Sequence, residues 1–162
     1  MRKVLIADDE VKVGQLVKRL IQWDRLGLTC IGLVTDGQTA YEKILSESPD
    51  IVITDIRMPV LTGLEMIQKA SEQGVKCHFI VVSGYKYFDY AQKALKYGVE
   101  DYLLKPIDED ELNRQLQKIV AEEEQREDKQ QQVDQIEKKL EDSKYLRHKE
   151  FLRQILSQKQ EN

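Results

Sequence analysis

Ile51-Val52-Ile53-Thr54-Asp55 is a continuously apolar run that stops on a carboxylate. A strand with no polar alternation has both of its faces covered, which is the habit of a parallel α/β sheet. Outward from it the same pattern recurs. Val4–Ala7 ends on Asp8-Asp9, Phe79–Val82 ends on Ser83, and Tyr102–Leu104 ends on Lys105; Thr29–Val34 is a further β-rich run. Helical stripes fill the gaps: Val13, Leu16, Val17, Leu20 and Ile21; then Ala40, Ile44 and Leu45; then Leu64, Ile67 and Ala70. Ala91, Ala94 and Leu95 make a fourth, and Leu112, Leu116 and Ile119 a fifth. Strand followed by helix, five times, predicts a doubly wound α/β fold, flavodoxin-like, with helices on both faces of a five-stranded parallel sheet.

Punctuation agrees with these cuts. Asp36-Gly37 follows the second strand, Ser48-Pro49 precedes the third, and Gly74 and Gly98 close the third and fourth helical segments. The expected strand order is 2-1-3-4-5, with its switch point between strands one and three. Those two strands end in Asp8, Asp9 and Asp55, so the acids fall where such sheets bind ligands.

The chain has 162 residues, a hydrophobic fraction of 41% and a formal net charge of −4. Residues 1–106 hold 14 acidic and 14 basic side chains, and residues 107–162 hold 15 and 11. That balance lacks the basic face of a domain that grips DNA by itself. No apolar run nears the ~18–20 residues that cross a bilayer, and no signal-peptide pattern opens the chain; a cytoplasmic location is expected. Cys30 and Cys77 are too few for a disulfide framework or a zinc site, and His78 and His148 lack ligand-like neighbours.

Composition divides the chain into a first domain, 1–122, and a helical extension, 123–162. Residues 107–162 contain neither Gly nor Pro. Val133, Ile136 and Leu140 suggest one or two heptads, and Leu146, Leu152, Ile155 and Leu156 a later stripe, but residues 122–132 have no apolar member. Two readings follow: a long dimerising helix with a polar middle, or two helical pieces with a flexible joint. A linker to a further domain fits either.

The strand ends define a chemistry. Neighbouring carboxylates raise one another's pKa unless a cation relieves them. A hard cation such as Mg²⁺, with oxygen ligands and several retained waters, suits Asp9 and Asp55 directly and Asp8 through a bound water. Asp9 or Glu10 could instead simply cap the first helix. With the metal shielding its charge, Asp55 can attack phosphorus and form an acyl phosphate. Lys105 supplies a point charge for a phosphoryl oxygen and Ser83 a hydroxyl donor.

The motifs Leu5-Ile-Ala-Asp-Asp-Glu10, Thr54-Asp-Ile-Arg-Met-Pro59 with Gly63, Val82-Ser-Gly84 and Asp101-Tyr-Leu-Leu-Lys-Pro106 occur in order. In these the first 120 or so residues closely resemble the receiver domain of two-component response regulators. The resemblance implies that Asp55 accepts a phosphoryl group from a phosphohistidine on a sensor kinase. It also implies that Asp9, Asp55 and the backbone carbonyl of Arg57 ligate Mg²⁺, and that Lys105-Pro106 is a cis bond. Ser83 would be drawn to the phosphoryl group, and the ring of Tyr102 would turn into the vacated space. The face of the fourth helix, strand five and the fifth helix would then change shape, a face that could also dimerise. Ser83-Gly-Tyr-Lys-Tyr-Phe-Asp-Tyr-Ala-Gln-Lys-Ala94 and Tyr145-Leu-Arg-His-Lys-Glu-Phe-Leu-Arg-Gln-Ile-Leu156 are similar to receivers and linkers that precede AraC-type DNA-binding domains. DNA would then be reached only through a domain outside these residues. Val60 and Thr62 stand where the family often has small or acidic residues.

Other functions fit less well. An aspartate-nucleophile phosphatase of the haloacid dehalogenase kind needs an acid two residues after its nucleophile, and that position is Arg57. A stand-alone phosphoryl carrier or adaptor has no use for the helical extension. No Gly-rich nucleotide loop is present. The expectation is a self-catalysing phosphoacceptor rather than a turnover enzyme.

Overall fold

The computed structural model describes residues 1–84, 89 and 99–161. Five strands, β1 (Arg2–Ala7), β2 (Leu28–Val34), β3 (Ile51–Asp55), β4 (His78–Ser83) and β5 (Val99–Leu104), form one parallel sheet in the order 2-1-3-4-5. Helices α1 (Val11–Leu20), α2 (Gly37–Glu47) and α3 (Gly63–Glu72) follow the first three strands, and Trp23–Leu26 adds a single helical turn. The chain divides into two compact units, Met1–Ile119 and Val120–Asn162. The last element is one α-helix, Glu109–Glu161, so the tail is not two helical pieces. The fourth helical stripe, Gly98 and most of the Ser83–Ala94 motif lie outside the described residues.

Alternation along the strands covers both faces of the sheet. Leu5, Val52, Phe79 and Val81 join Ala40, Ile44, Met66 and Ile67 in one core. Val4, Ile6, Ile53 and Ile80 alternate with them, and so point to the opposite face, yet are equally buried. Leu112, Leu116 and Ile119 of the last helix are buried too. Buried Asn113 ties that helix to the end of α1: its Oδ1 accepts the Gln22 amide at 2.9 Å and its Nδ2 donates to the Leu20 carbonyl at 2.8 Å.

Two helical positions differ from the sequence expectation. Leu16 and Leu45 are exposed, while Val17 and Ile44 beside them are buried. Adjacent residues on a helix point about 100° apart, so a short helix on a flat sheet buries one of each such pair.

Loop chemistry matches the sequence punctuation. Asp36 caps α2, its carboxylate accepting the Thr39 amide at 2.7 Å and the Thr39 hydroxyl at 2.7 Å. These two bonds, the amide first, hold its carboxyl below the usual range. Thr62 and Glu65 form a reciprocal capping box at the start of α3. Gly74, just beyond α3, takes a left-handed φ of 74°.

Candidate functional site

Strand register brings the chosen side chains to one rim. Ala7 pairs with Thr54, so Asp8 and Asp55 each stand one residue further along neighbouring strands. Asp55 pairs with Val82, placing Ser83 one step beyond it, and Ser83 pairs with Leu104, immediately before Lys105. The Lys105 amide donates to the Ser83 carbonyl at 2.9 Å, which carries the alignment past the strand end. The Lys105-Pro106 peptide is cis.

At the rim, carboxylate oxygens of Asp8, Asp9 and Asp55 all lie within 4.8 Å of one another. The Lys105 Nζ bridges two of these acids, 3.2 Å from Asp8 Oδ2 and 3.1 Å from Asp55 Oδ2. The other oxygen of Asp8 accepts the Glu10 amide at 2.9 Å, and that of Asp55 accepts the Ile56 amide at 2.7 Å. Asp8 and Asp55 are 5% and 7% exposed, so their charges meet little water, whereas Asp9 is exposed. Glu10 takes the N-cap position of α1 without a side-chain cap bond. Helix capping therefore does not account for these acids.

The electrostatics follow from burial. The Asp8 carboxyl is pushed up from 3.8 to about 6, chiefly by burial and further by the charge of Asp55. The Glu10 amide and Lys105 pull the other way without reversing it. Burial works against the charge on Lys105, but Asp55 and Asp8 outweigh it and raise its pKa. The three carboxylates offer hard oxygen donors, a set that suits a divalent cation such as Mg²⁺.

Ser83 ends β4 fully buried, and among the described residues its Oγ has no hydrogen-bond partner. A buried hydroxyl without a partner is costly and marks a place where an acceptor is wanted. Tyr102 is half-buried, and its hydroxyl donates to the carbonyl of Gly84, the residue after Ser83, at 3.1 Å. Arg57 is exposed two residues beyond Asp55.

Three positions shape the site beyond what their sequence reading indicated. At Gly63 a Cβ would stand 2.0 Å from the Asp55 carbonyl oxygen, and the Gly63 amide donates to the Ile56 carbonyl at 2.7 Å. At Gly37 a Cβ would stand 1.8 Å from the Leu61 carbonyl oxygen. These two close approaches seat the loop after β3; Asp36-Gly37 read only as punctuation because its partner is 24 residues away in sequence. Val60, in that loop, has φ of 70° and is 83% exposed. The sequence marked Val60 only as a departure from the family pattern and gave no sign of its left-handed φ, since β-branched residues avoid that region.

An open 2-1-3-4-5 sheet with a carboxylate–ammonium cluster at its switch point is an α/β domain built around an acidic rim. The family model that fits residues 4–117 is the response regulator receiver domain, and the chain belongs to that family. It is 46% identical over 122 residues to YesN, an uncharacterized transcriptional regulatory protein of Bacillus subtilis, a match covering 75% of this chain and 33% of that protein. It is 35% identical over 120 residues to the transcriptional regulatory protein HptR of Staphylococcus aureus, covering 74% of this chain and 47% of that one. The chain thus spans between a third and a half of the length of these relatives. Among solved structures, the REC domain of the response regulator AraT from Geobacillus stearothermophilus aligns with a TM-score of 0.74 and 36% identity. That alignment covers 78% of this chain and 98% of the AraT domain. A Francisella response regulator receiver domain gives 0.66 and 28%, over 75% and 98% of the two chains. Among the described residues no helix is long and apolar enough to cross a membrane.

Proposed function

We propose that this chain accepts a phosphoryl group on Asp55 from the phosphohistidine of a sensor kinase and passes the signal to transcription. The observation that carries this is the convergence at Asp55. Its carboxylate meets Lys105 at 3.1 Å, beside Asp8 and Asp9, with the Ser83 hydroxyl, which has no partner among the described residues, on the next strand end. In the reaction one Asp55 oxygen forms a P–O bond while the P–N bond to the kinase imidazole breaks. The imidazole leaves, taking a proton from solvent. Asp9, Asp55 and the Arg57 carbonyl would hold Mg²⁺ directly and Asp8 through a water, and the ion would neutralise the charge between the attacking carboxylate and the phosphoryl oxygens.

The side chains have distinct tasks. Lys105, now shared between two carboxylates, exchanges one of them for a phosphoryl oxygen and stays within its present reach. Ser83 donates its hydroxyl to a second phosphoryl oxygen, which satisfies a buried group that has no partner among the described residues. Because Tyr102 is anchored on Gly84, a displacement of Ser83-Gly84 moves the acceptor that holds the ring. New charge-assisted bonds at the rim thereby bias a two-state aromatic on β5.

The reaction loads Asp55 and does not turn over many esters, so the chain acts as a phosphoacceptor and not as a phosphatase. An AraC-type DNA-binding output in the cytoplasm is the reading we favour. It is supported by the transcriptional regulators to which the chain is similar and by the motifs noted in the sequence. The test is intact mass after incubation with acetyl phosphate and Mg²⁺. A gain of one phosphoryl group in the wild type, absent in Asp55→Asn, is expected; an equal gain in the variant would place the acceptor elsewhere.

A further inference from the structure

At the edge of the sheet a groove of about 620 Å³ runs between α1 and β2, lined by Gln15, Lys18, Arg19, Trp23 and Leu33. Lys18 and Arg19 follow Gln15 by three and four residues, so all three stand on one flank of α1. Leu33, 39% exposed on the edge strand β2, gives the groove an apolar wall. Half-buried Trp23 closes it beyond the end of α1. The Trp23 indole N–H donates to the Lys18 carbonyl at 2.8 Å, which pins the ring against the last turn of that helix.

Charge and shape together limit what this groove can hold. Its lining includes two cations and no acid. Neither Lys18 nor Arg19 has an ion-pair partner among the described residues, in contrast to Lys43 and Lys105. Trp and Arg are prominent among the residues that anchor protein interfaces, and free cations beside an apolar wall complement carboxylates placed around an apolar side chain. The groove is open along its length, so it does not enclose a small molecule as a pocket does. Nor does the edge of β2 invite another strand. The Lys43 Nζ donates to the Ile31 carbonyl at 3.1 Å and lies over Gly32, where a Cβ would meet it at 2.8 Å. Recognition at this edge therefore runs through side chains.

We infer that this groove docks an acidic segment of another protein, whose carboxylates pair with Lys18 and Arg19 while an apolar side chain packs on Leu33 and Trp23. The surface stands apart from the acceptor rim: β1 separates β2 from β3, a distance of about 10 Å across the sheet. The inference is independent of the phosphoacceptor reading, since none of its residues belongs to that site.

Trp23 is the only tryptophan of the sequence, so its emission reports on the groove, and isothermal titration gives a second readout. The probe is the peptide acetyl-EEDLEEFLEE-amide, with two counterparts: one with Ser in place of its Leu and Phe residues, the other with Lys in place of its acids. In low salt the parent peptide should bind the native chain with Kd of about 100 μM, and each counterpart about tenfold more weakly or not at all. Lys18→Gln with Arg19→Gln, and separately Leu33→Ser, should each weaken the parent peptide about tenfold. Neither emission change nor heat up to about 1 mM peptide overturns the inference. So does equal binding of either counterpart, or undiminished binding to the Lys18→Gln, Arg19→Gln variant. Phosphoryl uptake from acetyl phosphate should stay at the wild-type level in both variants, which shows that they are folded. Absence of that uptake in the native chain would count against the phosphoacceptor reading and leave the peptide titration standing.

Discussion

Removing the Asp8 charge should stabilise the metal-free fold at neutral pH. The Asp8 carboxyl is pushed up from 3.8 to about 6, mainly by burial, with Asp55 adding to the effect. A carboxyl raised on folding loses stability as pH rises. The unfolded chain gives up its proton near 3.8, while the folded chain keeps it until about 6. Below 3.8 both forms are protonated and the penalty is absent; above about 6 it is complete. At about 1.4 kcal/mol per pH unit, that interval corresponds to about 3 kcal/mol. Asp8→Asn keeps the Oδ1 that accepts the Glu10 amide but loses the charge that pairs with Lys105 at 3.2 Å. The pull of Lys105 is already contained in that net shift, so the variant should be the more stable by roughly 2–3 kcal/mol at pH 7.5. Urea unfolding of both proteins in EDTA, from pH 4 to 7.5, measures it. The variant should be the more stable at pH 7.5, and the difference should vanish as pH falls towards 4. A variant less stable than wild type at pH 7.5, or a difference that does not change with pH, would refute the reasoning.

Other perturbations read the same site from different sides. Lys105→Ala leaves two buried carboxylates without their shared ammonium, and should destabilise the metal-free protein by roughly 1–3 kcal/mol in urea. Mg²⁺ affinity, followed by isothermal titration, should be flat above pH 7 and fall about tenfold per pH unit below about 6, where Asp8 takes up its proton. Val60→Gly removes a β-branched residue from φ of 70°; relief of strain exceeds the added chain entropy, for a gain of roughly 1 kcal/mol with the urea m-value unchanged. Gly63→Ala drives a methyl to 2.0 Å from the Asp55 carbonyl, so roughly 2–4 kcal/mol of stability should be lost along with phosphoryl uptake.

How much of this was legible in the sequence depends on which force fixes each feature. The strands and their order were readable because continuous apolar runs such as Ile51-Val52-Ile53 admit only a sheet covered on both faces. The convergence of Asp8, Asp55, Ser83 and Lys105 was readable too, because parallel strands put all their carboxyl ends on one rim. Leu16 and Leu45 misled for a geometric reason: hydrophobicity marks both members of an adjacent pair, and a helix on a flat sheet buries only one. The bridging of Asp8 and Asp55 by Lys105 was beyond the sequence, which offered the lysine only as a partner for phosphate. Where a flexible four-carbon stem rests is set by charge balance at the assembled rim.

On the proposed function Lys105 would link the resting site to the loaded one. Its ammonium already lies 3.1 Å from the oxygen of the proposed acceptor, and the carboxylates around it hold its proton more firmly than water would. In the proposed reaction, phosphoryl transfer to Asp55 would replace a single carboxylate charge by a larger one at nearly the same place, so Lys105 would need little reorganisation to follow it. Ser83 has the opposite character: among the described residues its buried hydroxyl has no partner, and in the proposed reaction it would gain one when a phosphoryl oxygen arrives. A preset cation and an unsatisfied donor divide the work. On the proposed function the first would make loading electrostatically easy, and the second would make the loaded state structurally different, with Gly84 and Tyr102 next in line to register the change.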